Sequence, residues 1–311
     1  MDSQGFFAKY RFSILLLATM ALITAFVLSR PQEVTTGVPV MQISMEAILI
    51  VLGFAAGLLG GWIGTGGCSV MLPVLHFWLG FPAPVAVGTT LFAVIFTAIS
   101  GGYGHFKQKN VDKHTAIWTG GAGIAGVLLG SWLFTFLSNK SALLGCLIGL
   151  VFLWPSFRMI WEGFLGFRNR KLTSGMAGTA QGQPIKKAPP VQLASFGAAV
   201  GILTGIVGLG GGYALVPGLI YLFGMPVYVT MGTSLAIMIP MAIVGGAIKL
   251  SQGYVFLSAA LLLAMGTIVG AQVGAATIKR FKPYALKLLF GLYFLYVAVK
   301  FIGNFLGIPV W

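Results

Sequence analysis

Gly64-Thr65-Gly66-Gly67-Cys68-Ser69 and Gly208-Leu209-Gly210-Gly211-Gly212-Tyr213 are the two stretches on which the fold turns. Each cuts an apolar run, residues 45–80 and 191–223, that is too long for one membrane crossing. Each is followed by a proline, Pro73 or Pro217. Clustered glycines break a helix rather than pack it, so each run is read as two short helices folded into a hairpin.

The two stretches are copies of one another. Gly53 to Gln108 matches Gly197 to Gln252 without a gap, at an offset of 197 − 53 = 144 residues. Gly57, Gly64, Gly66, Gly67 and Pro73 meet Gly201, Gly208, Gly210, Gly211 and Pro217. Gly80, Pro82, Gly88 and Thr89 meet Gly224, Pro226, Gly232 and Thr233. Apolar composition alone gives scattered Leu and Ala coincidences; paired Gly, Pro and Thr in register indicate an internal duplication.

Of the 311 residues 58% are hydrophobic and 8% charged, too little polar surface to cover a water-soluble fold. Runs such as Phe12 to Ser29, Ile117 to Leu137 and Ala259 to Ile278 approach the roughly 20 residues that cross a bilayer as a helix. They lack the alternation of barrel strands. The expected fold is an all-α membrane protein: a polytopic helical bundle of two inverted repeats, each a glycine-broken hairpin plus three transmembrane helices, preceded by one N-terminal helix. The divisions are 1–44 for the N-terminal helix and external loop, 45–161 for the first repeat, 162–190 for a cytoplasmic linker rich in Gly, Pro, Ser and Lys, and 191–311 for the second repeat. Spans are expected near 85–104, 115–137, 141–160, 227–248, 255–278 and 285–305.

The formal net charge of +14 comes from 19 Lys and Arg lying between the apolar runs, without the aromatic interleaving of a nucleic-acid face. With the N-terminus and the 104–114, 158–190 and 279–287 segments placed in the cytoplasm, all of these cations except Arg30, Lys140, Lys249 and Lys300 fall inside. The first half then starts outside and the second inside. Leu28-Ser29-Arg30-Pro31 is a poor cleavage site, so the first helix is expected to be retained. Cys68 and Cys146 form neither a metal-ligand pattern nor a disulfide framework. The Gly-Leu-Gly-Gly-Gly run has no Walker lysine and no soluble strand beside it. No metal, cofactor or catalytic constellation is expected; the partners are a small anion and the bilayer.

Backbone that leaves helical geometry at membrane depth is tolerated only against protein or a water-filled cavity. A half-helix beginning after each break would turn free N–H groups and a positive dipole end toward that interior, which suits an anion. The candidate binding residues are Gly64, Thr65, Gly66, Gly67, Cys68 and Ser69 in the first half with Gly208, Gly210, Gly211, Gly212 and Tyr213 in the second. Thr89, Thr90, Thr233 and Ser234 join them, as hydroxyls that either donate to an oxyanion or cap and brace helices. The four-spaced series Gly53/Gly57/Gly61, Gly197/Gly201/Gly205 and Gly266/Gly270/Gly274 reads as close helix packing. Asp2, Glu33, Glu46, Asp112 and Glu162 fall at or beyond span ends, so no carboxylate relay is evident. His76 lies inside the first hairpin, while His105 and its counterpart Lys249 are read as interfacial.

The glycine-broken hairpin followed by Pro, repeated with a Gly-Thr-[Thr/Ser] step after it, resembles the sulfite exporter TauE/SafE family across residues 46–305. Gly64-Thr65-Gly66-Gly67-Cys68 to Pro73 and Gly208-Leu209-Gly210-Gly211-Gly212 to Pro217 look like that family's two signature segments. The resemblance implies transport of sulfur-containing anions such as sulfite or sulfonates, usually outward across a bacterial cytoplasmic membrane. Cys68, where the second segment has Gly212, departs from a triple glycine. The alternatives are a membrane-embedded enzyme, which would need a His, Cys or carboxylate constellation, and an assembly factor using the glycines for packing alone.

Overall fold

The computed structural model describes residues 3–28, 38–39, 43–168, 188–277 and 283–308. Every regular element among them is helical. The first half comprises α1 (Ser3–Leu28), α2 (Ile43–Ile63), α3 (Cys68–Pro73, continued by a π-helical turn Val74–Trp78), α4 (Ala83–Lys107), α5 (Lys113–Ser138) and α6 (Ser141–Arg168). The second comprises α7 (Pro190–Val207), α8 (Gly212–Tyr221), α9 (Val227–Ser251), α10 (Leu257–Thr277) and α11 (Pro283–Phe305). Among the described residues seven helices, α2, α4, α5, α6, α7, α9 and α10, are long and apolar enough to cross a membrane. Val51, Trp132, Trp161 and other large apolar side chains are exposed around the outside, an arrangement suited to lipid. The chain is a multi-pass membrane protein.

One sequence expectation needs correction. The hairpin arms are unequal: α2 has 21 residues, about 30 Å at ~1.5 Å per residue, whereas α3 has 6 before its π-turn. α7 and α8 show the same inequality, with 18 and 10 residues. The reason lies in the four-spaced glycines, which keep the first arm packed along a full-length neighbour up to the break. Gly53, Gly57 and Gly61 lie against the backbone of Leu263, Thr267 and Ala271 in α10, so the two helices run parallel. A methyl group on Gly57 would come 2.6 Å from Thr267 Cα. Gly197, Gly201 and Gly205 repeat the contact in the other half, against Thr119, Gly123 and Gly130 of α5. Membrane helices gain little from the hydrophobic effect when they associate, so backbone approach through small residues is what holds these pairs.

The centre is formed by α4 and α9, which cross antiparallel: Gly101 lies against Leu235, and Gly245 against Leu91. α6 and α11 also pair antiparallel, with Gly149 against Ala298 and Gly291 against Ile160. α1 packs on α10 through Met20, Leu261, Ala264 and Ile268. The expected linker falls largely outside the described residues, since α6 continues to Arg168 and α7 starts at Pro190.

Candidate functional site

After Ile63 the chain reverses within four residues. Gly64 N–H still reaches the Gly60 carbonyl at 2.8 Å, and Gly64, Gly66 and Gly67 take φ of 79°, 72° and 75°. Only glycine adopts three such left-handed conformations in four positions without strain. The reversal lays Gly67 against Ala56, so α3 starts at mid-height of α2. The second break is built alike, with Gly208, Gly210 and Gly211 at φ of 71°, 66° and 84°. Gly67 and Gly211 are the N-caps of α3 and α8, and neither end has a side-chain cap. Val70 and Ala214 N–H turn back to the Gly67 and Gly211 carbonyls, so the first-turn donors with no earlier carbonyl of the helix to bond are those of Cys68, Ser69, Gly212 and Tyr213.

The two breaks meet. The Cys68 thiol donates to the Leu209 carbonyl, and a methyl group on Gly212 would press on the Thr65 backbone. These are equivalent positions, since Thr65 corresponds to Leu209 and Cys68 to Gly212. Val94 of α4 and Met238 of α9, another equivalent pair, both touch Gly66 and Gly210. Thr65, Cys68, Ser69, Leu209 and Tyr213 are all buried, and the Tyr213 hydroxyl has no hydrogen-bond partner. The junction is buried within the protein.

A cavity of ≈ 80 Å³ reaches the junction from one face, at Thr65, Gly212 and Tyr213. Its walls are mainly apolar, from α8, α6 and the end of α2. Its rim carries Arg158 and Glu162, 3.3 Å apart, and Tyr221, whose hydroxyl donates to Glu162. The sequence reading counted none of these three among the binding residues and placed Glu162 at a span end. Arg158 had nonetheless left a signal, because a cation within the expected 141–160 span is costly to place in hydrocarbon and normally faces a cavity.

The four hydroxyls after the breaks do bracing work. Thr89 Oγ1 accepts from Phe256 N–H at 3.0 Å, and Thr233 Oγ1 accepts from Asp112 N–H at 2.9 Å; each tethers the segment before a helix of the other repeat. Ser234 donates to the Gly64 carbonyl at 2.8 Å, whereas Thr90 donates to Ala86 and Val87 in its own helix. Of the two sequence readings for these residues, capping and bracing describe the contacts seen.

His105 and Lys249, read as interfacial, do not reach the surface of the protein. Both are fully buried at matching ends of α4 and α9. His105 Nε2 meets the Gly61 carbonyl at 3.1 Å, and because a carbonyl only accepts, that nitrogen carries the proton. Lys249 Nζ sits 2.9 Å from the centre of the Phe134 ring and has no hydrogen-bond partner. His76 Nδ1 likewise donates to the Phe81 carbonyl, at 2.8 Å. Among the described residues no group of three or more His, Cys, Asp or Glu is placed to hold a metal ion.

The family model described as "Sulfite exporter TauE/SafE" matches residues 49–301, both halves with their breaks. The chain belongs to the sulfite exporter TauE/SafE family. Its relatives include "Probable membrane transporter protein YdhB" of Bacillus subtilis (strain 168), 27% identical over 73% of this chain and 88% of that protein. YunE of the same organism, with the same description, is 31% identical over 74% of this chain and 87% of its own length. YjnA, again from that organism, is 27% identical over 83% of this chain and 100% of its own. No solved structure gives a significant match. As a TauE/SafE member the chain is a membrane transporter by family.

Proposed function

We propose that the protein is a secondary transporter, working as an exporter, of a small sulfur-containing anion such as sulfite or an organosulfonate, held where the two broken helices meet. The single observation that carries this reading is the meeting of two uncapped half-helix N-termini beside a cavity, with the unpartnered Tyr213 hydroxyl buried at that point. Free N–H groups and two positive dipole ends favour an anion there. Cys68, Ser69, Gly212 and Tyr213 stand in the first turns, and Gly66 and Gly210 supply the turns before them.

The antiparallel self-pairing of α4 with α9 and of α6 with α11 supports inverted repeats. Equivalent helices that pair antiparallel across a two-fold axis require that axis to lie perpendicular to them, hence in the plane of the membrane. One half rocking on the other would then expose the junction to each face in turn. The positive-inside bias supports a cytoplasmic N-terminus and a bacterial cytoplasmic membrane, with the cavity on the cytoplasmic face.

The test is thermal stabilisation of detergent-purified protein by sulfite, sulfate, thiosulfate, sulfoacetate and taurine, with plain carboxylates as controls. A ligand of the native state raises its apparent stability. Saturable stabilisation by a sulfur oxyanion, lost in Gly66→Val or Gly210→Val protein that remains folded, is the expected result. Equal melting with and without every anion would sink the reading.

A further inference from the structure

The last helix of each half places a cation over an aromatic ring of the opposite half. Across α6 and α11 the register of the duplication is Ser141 to Pro283, an offset of 283 − 141 = 142. Contacts bear this out: Gly149 touches Phe301 and Ile302, while its counterpart Gly291 touches Met159 and Ile160, the counterparts of Phe301 and Ile302. In this register Arg158 corresponds to Lys300 and Trp154 to Tyr296. Independently, the 144-residue register pairs Phe77 with Tyr221.

These residues converge in both halves. Arg158 Cζ lies 3.5 Å from the Tyr221 ring centre and 5.9 Å from that of Trp154. Lys300 Nζ lies 5.1 Å from the Phe77 ring centre and 5.5 Å from that of Tyr296, with the Tyr296 hydroxyl at 3.2 Å. Phe77 is in the turn that extends α3, and Tyr221 is the last residue of α8. Each cation therefore sits where a half-helix ends, against a ring of the other repeat, and on opposite sides of the junction. A cation over an aromatic face gains about 0.5–2 kcal/mol and surrenders that contact easily to an anion, which makes the pair a reversible latch.

We propose that Arg158 and Lys300 are equivalent entrance cations, each capturing the transported anion at one mouth of the pathway and closing that mouth, when empty, by lying on the aromatic side chain at the end of a half-helix. This rests on the transporter reading. The state seen has the Arg158 mouth bordering the cavity, while at the Lys300 mouth Phe301 fills the space, packed on Phe77 at 4.5 Å and stacked on His76 at 5.5 Å. The mouths differ in one charge: Glu162 competes with an incoming anion for Arg158, and its counterpart beside Lys300 is Asn304.

The experiment is sulfite flux in proteoliposomes of known orientation, with KM measured from each face for Arg158→Gln, Lys300→Gln, Arg158→Lys and Lys300→Arg. Each neutral variant is expected to raise KM about tenfold on its own face, the loss of one charge-assisted contact, and to leave kcat and the opposite KM within about twofold. The charge-conserving exchanges restore KM, and Glu162→Gln lowers it at the Arg158 mouth. Unchanged KM on both faces in both neutral variants, with wild-type protein carrying sulfite, overturns the inference and leaves the transporter reading intact. If wild-type protein carries none of sulfite, sulfate, thiosulfate, sulfoacetate and taurine, the functional reading falls, and the latch is decided by labelling. A cysteine at Val216, within the cavity, should react faster with a membrane-impermeant maleimide once Arg158→Gln and Tyr221→Ala open the mouth. An unchanged rate overturns the latch.

Discussion

α3 and α8 have the same plan and opposite surroundings. Both begin at a buried glycine break, contain a proline at the sixth position and end near an aromatic residue. α8 keeps α-helical geometry throughout its 10 residues and has a cavity along it. α3 widens into a π-turn over Val74–Trp78, which directs His76 and Phe77 onto Phe301 and fills the corresponding space. Backbone therefore supplies the likeness of the two half-helices, and side-chain volume decides beside which of them a cavity remains.

Substitutions made in equivalent pairs test that division. The largest effect is expected where the plan is backbone alone. Gly57→Val and Gly201→Val both force side-chain atoms into the backbone of a neighbouring helix, of Thr267 and Gly123 respectively. Each should cost about 3 kcal/mol or more, seen as loss of the monodisperse peak and of the melting transition. If one half tolerates the change, the two backbone seams are not equivalent.

Next come Cys68 and Gly212, where the copies differ at the junction. Gly212→Ala puts a methyl group into the Thr65 backbone and should destabilise by about 1–3 kcal/mol, whereas Cys68→Gly meets no clash, removes a buried side chain and its weak thiol hydrogen bond to the Leu209 carbonyl, and should cost about 1 kcal/mol. Melting temperatures of the two variants check the order. Equal losses would mean that the junction relaxes around either residue.

His105 and Lys249 give a pair of opposite sign. His105→Ala leaves the Gly61 carbonyl without its donor, a loss of about 1–3 kcal/mol. Lys249→Met replaces a buried amine lacking a hydrogen-bond partner with an apolar chain of similar length, and should stabilise by about 1–3 kcal/mol. A Lys249→Met protein that melts lower would show that the contact with Phe134 outweighs the burial cost. The smallest effect is expected for Tyr221→Phe, which makes α8 resemble α3 at that position and removes one hydrogen bond to Glu162, about 0.5–1.5 kcal/mol.

Much of the fold was legible because its signals are local. Apolar run length places the helices, clustered glycines place the breaks, and self-comparison gives the equivalence of the halves. Four-spaced glycines identified the packing seams correctly, although not their partners. At the candidate site the breaks and the residues within them, Thr65, Cys68, Ser69 and Tyr213, were legible, and their partners were not. Thr89 and Thr233 were open to two readings because a hydroxyl near the start of a span can brace a neighbouring helix or bind a ligand; their partners, Phe256 and Asp112, lie in the other repeat. Arg158 was passed over because it stands near a span end, where snorkelling to the interface is the ordinary expectation.

By itself the sequence determined that this chain is helical, membrane-embedded and duplicated, since those follow from composition, period and self-similarity along the chain. The meeting of the two breaks, the burial of His105 and Lys249, and the seating of Arg158 and Lys300 on rings of the opposite half were decided by tertiary structure. Each of these depends on which helix faces which across the bundle, and a contact between residues far apart along the chain leaves no periodic trace in either segment.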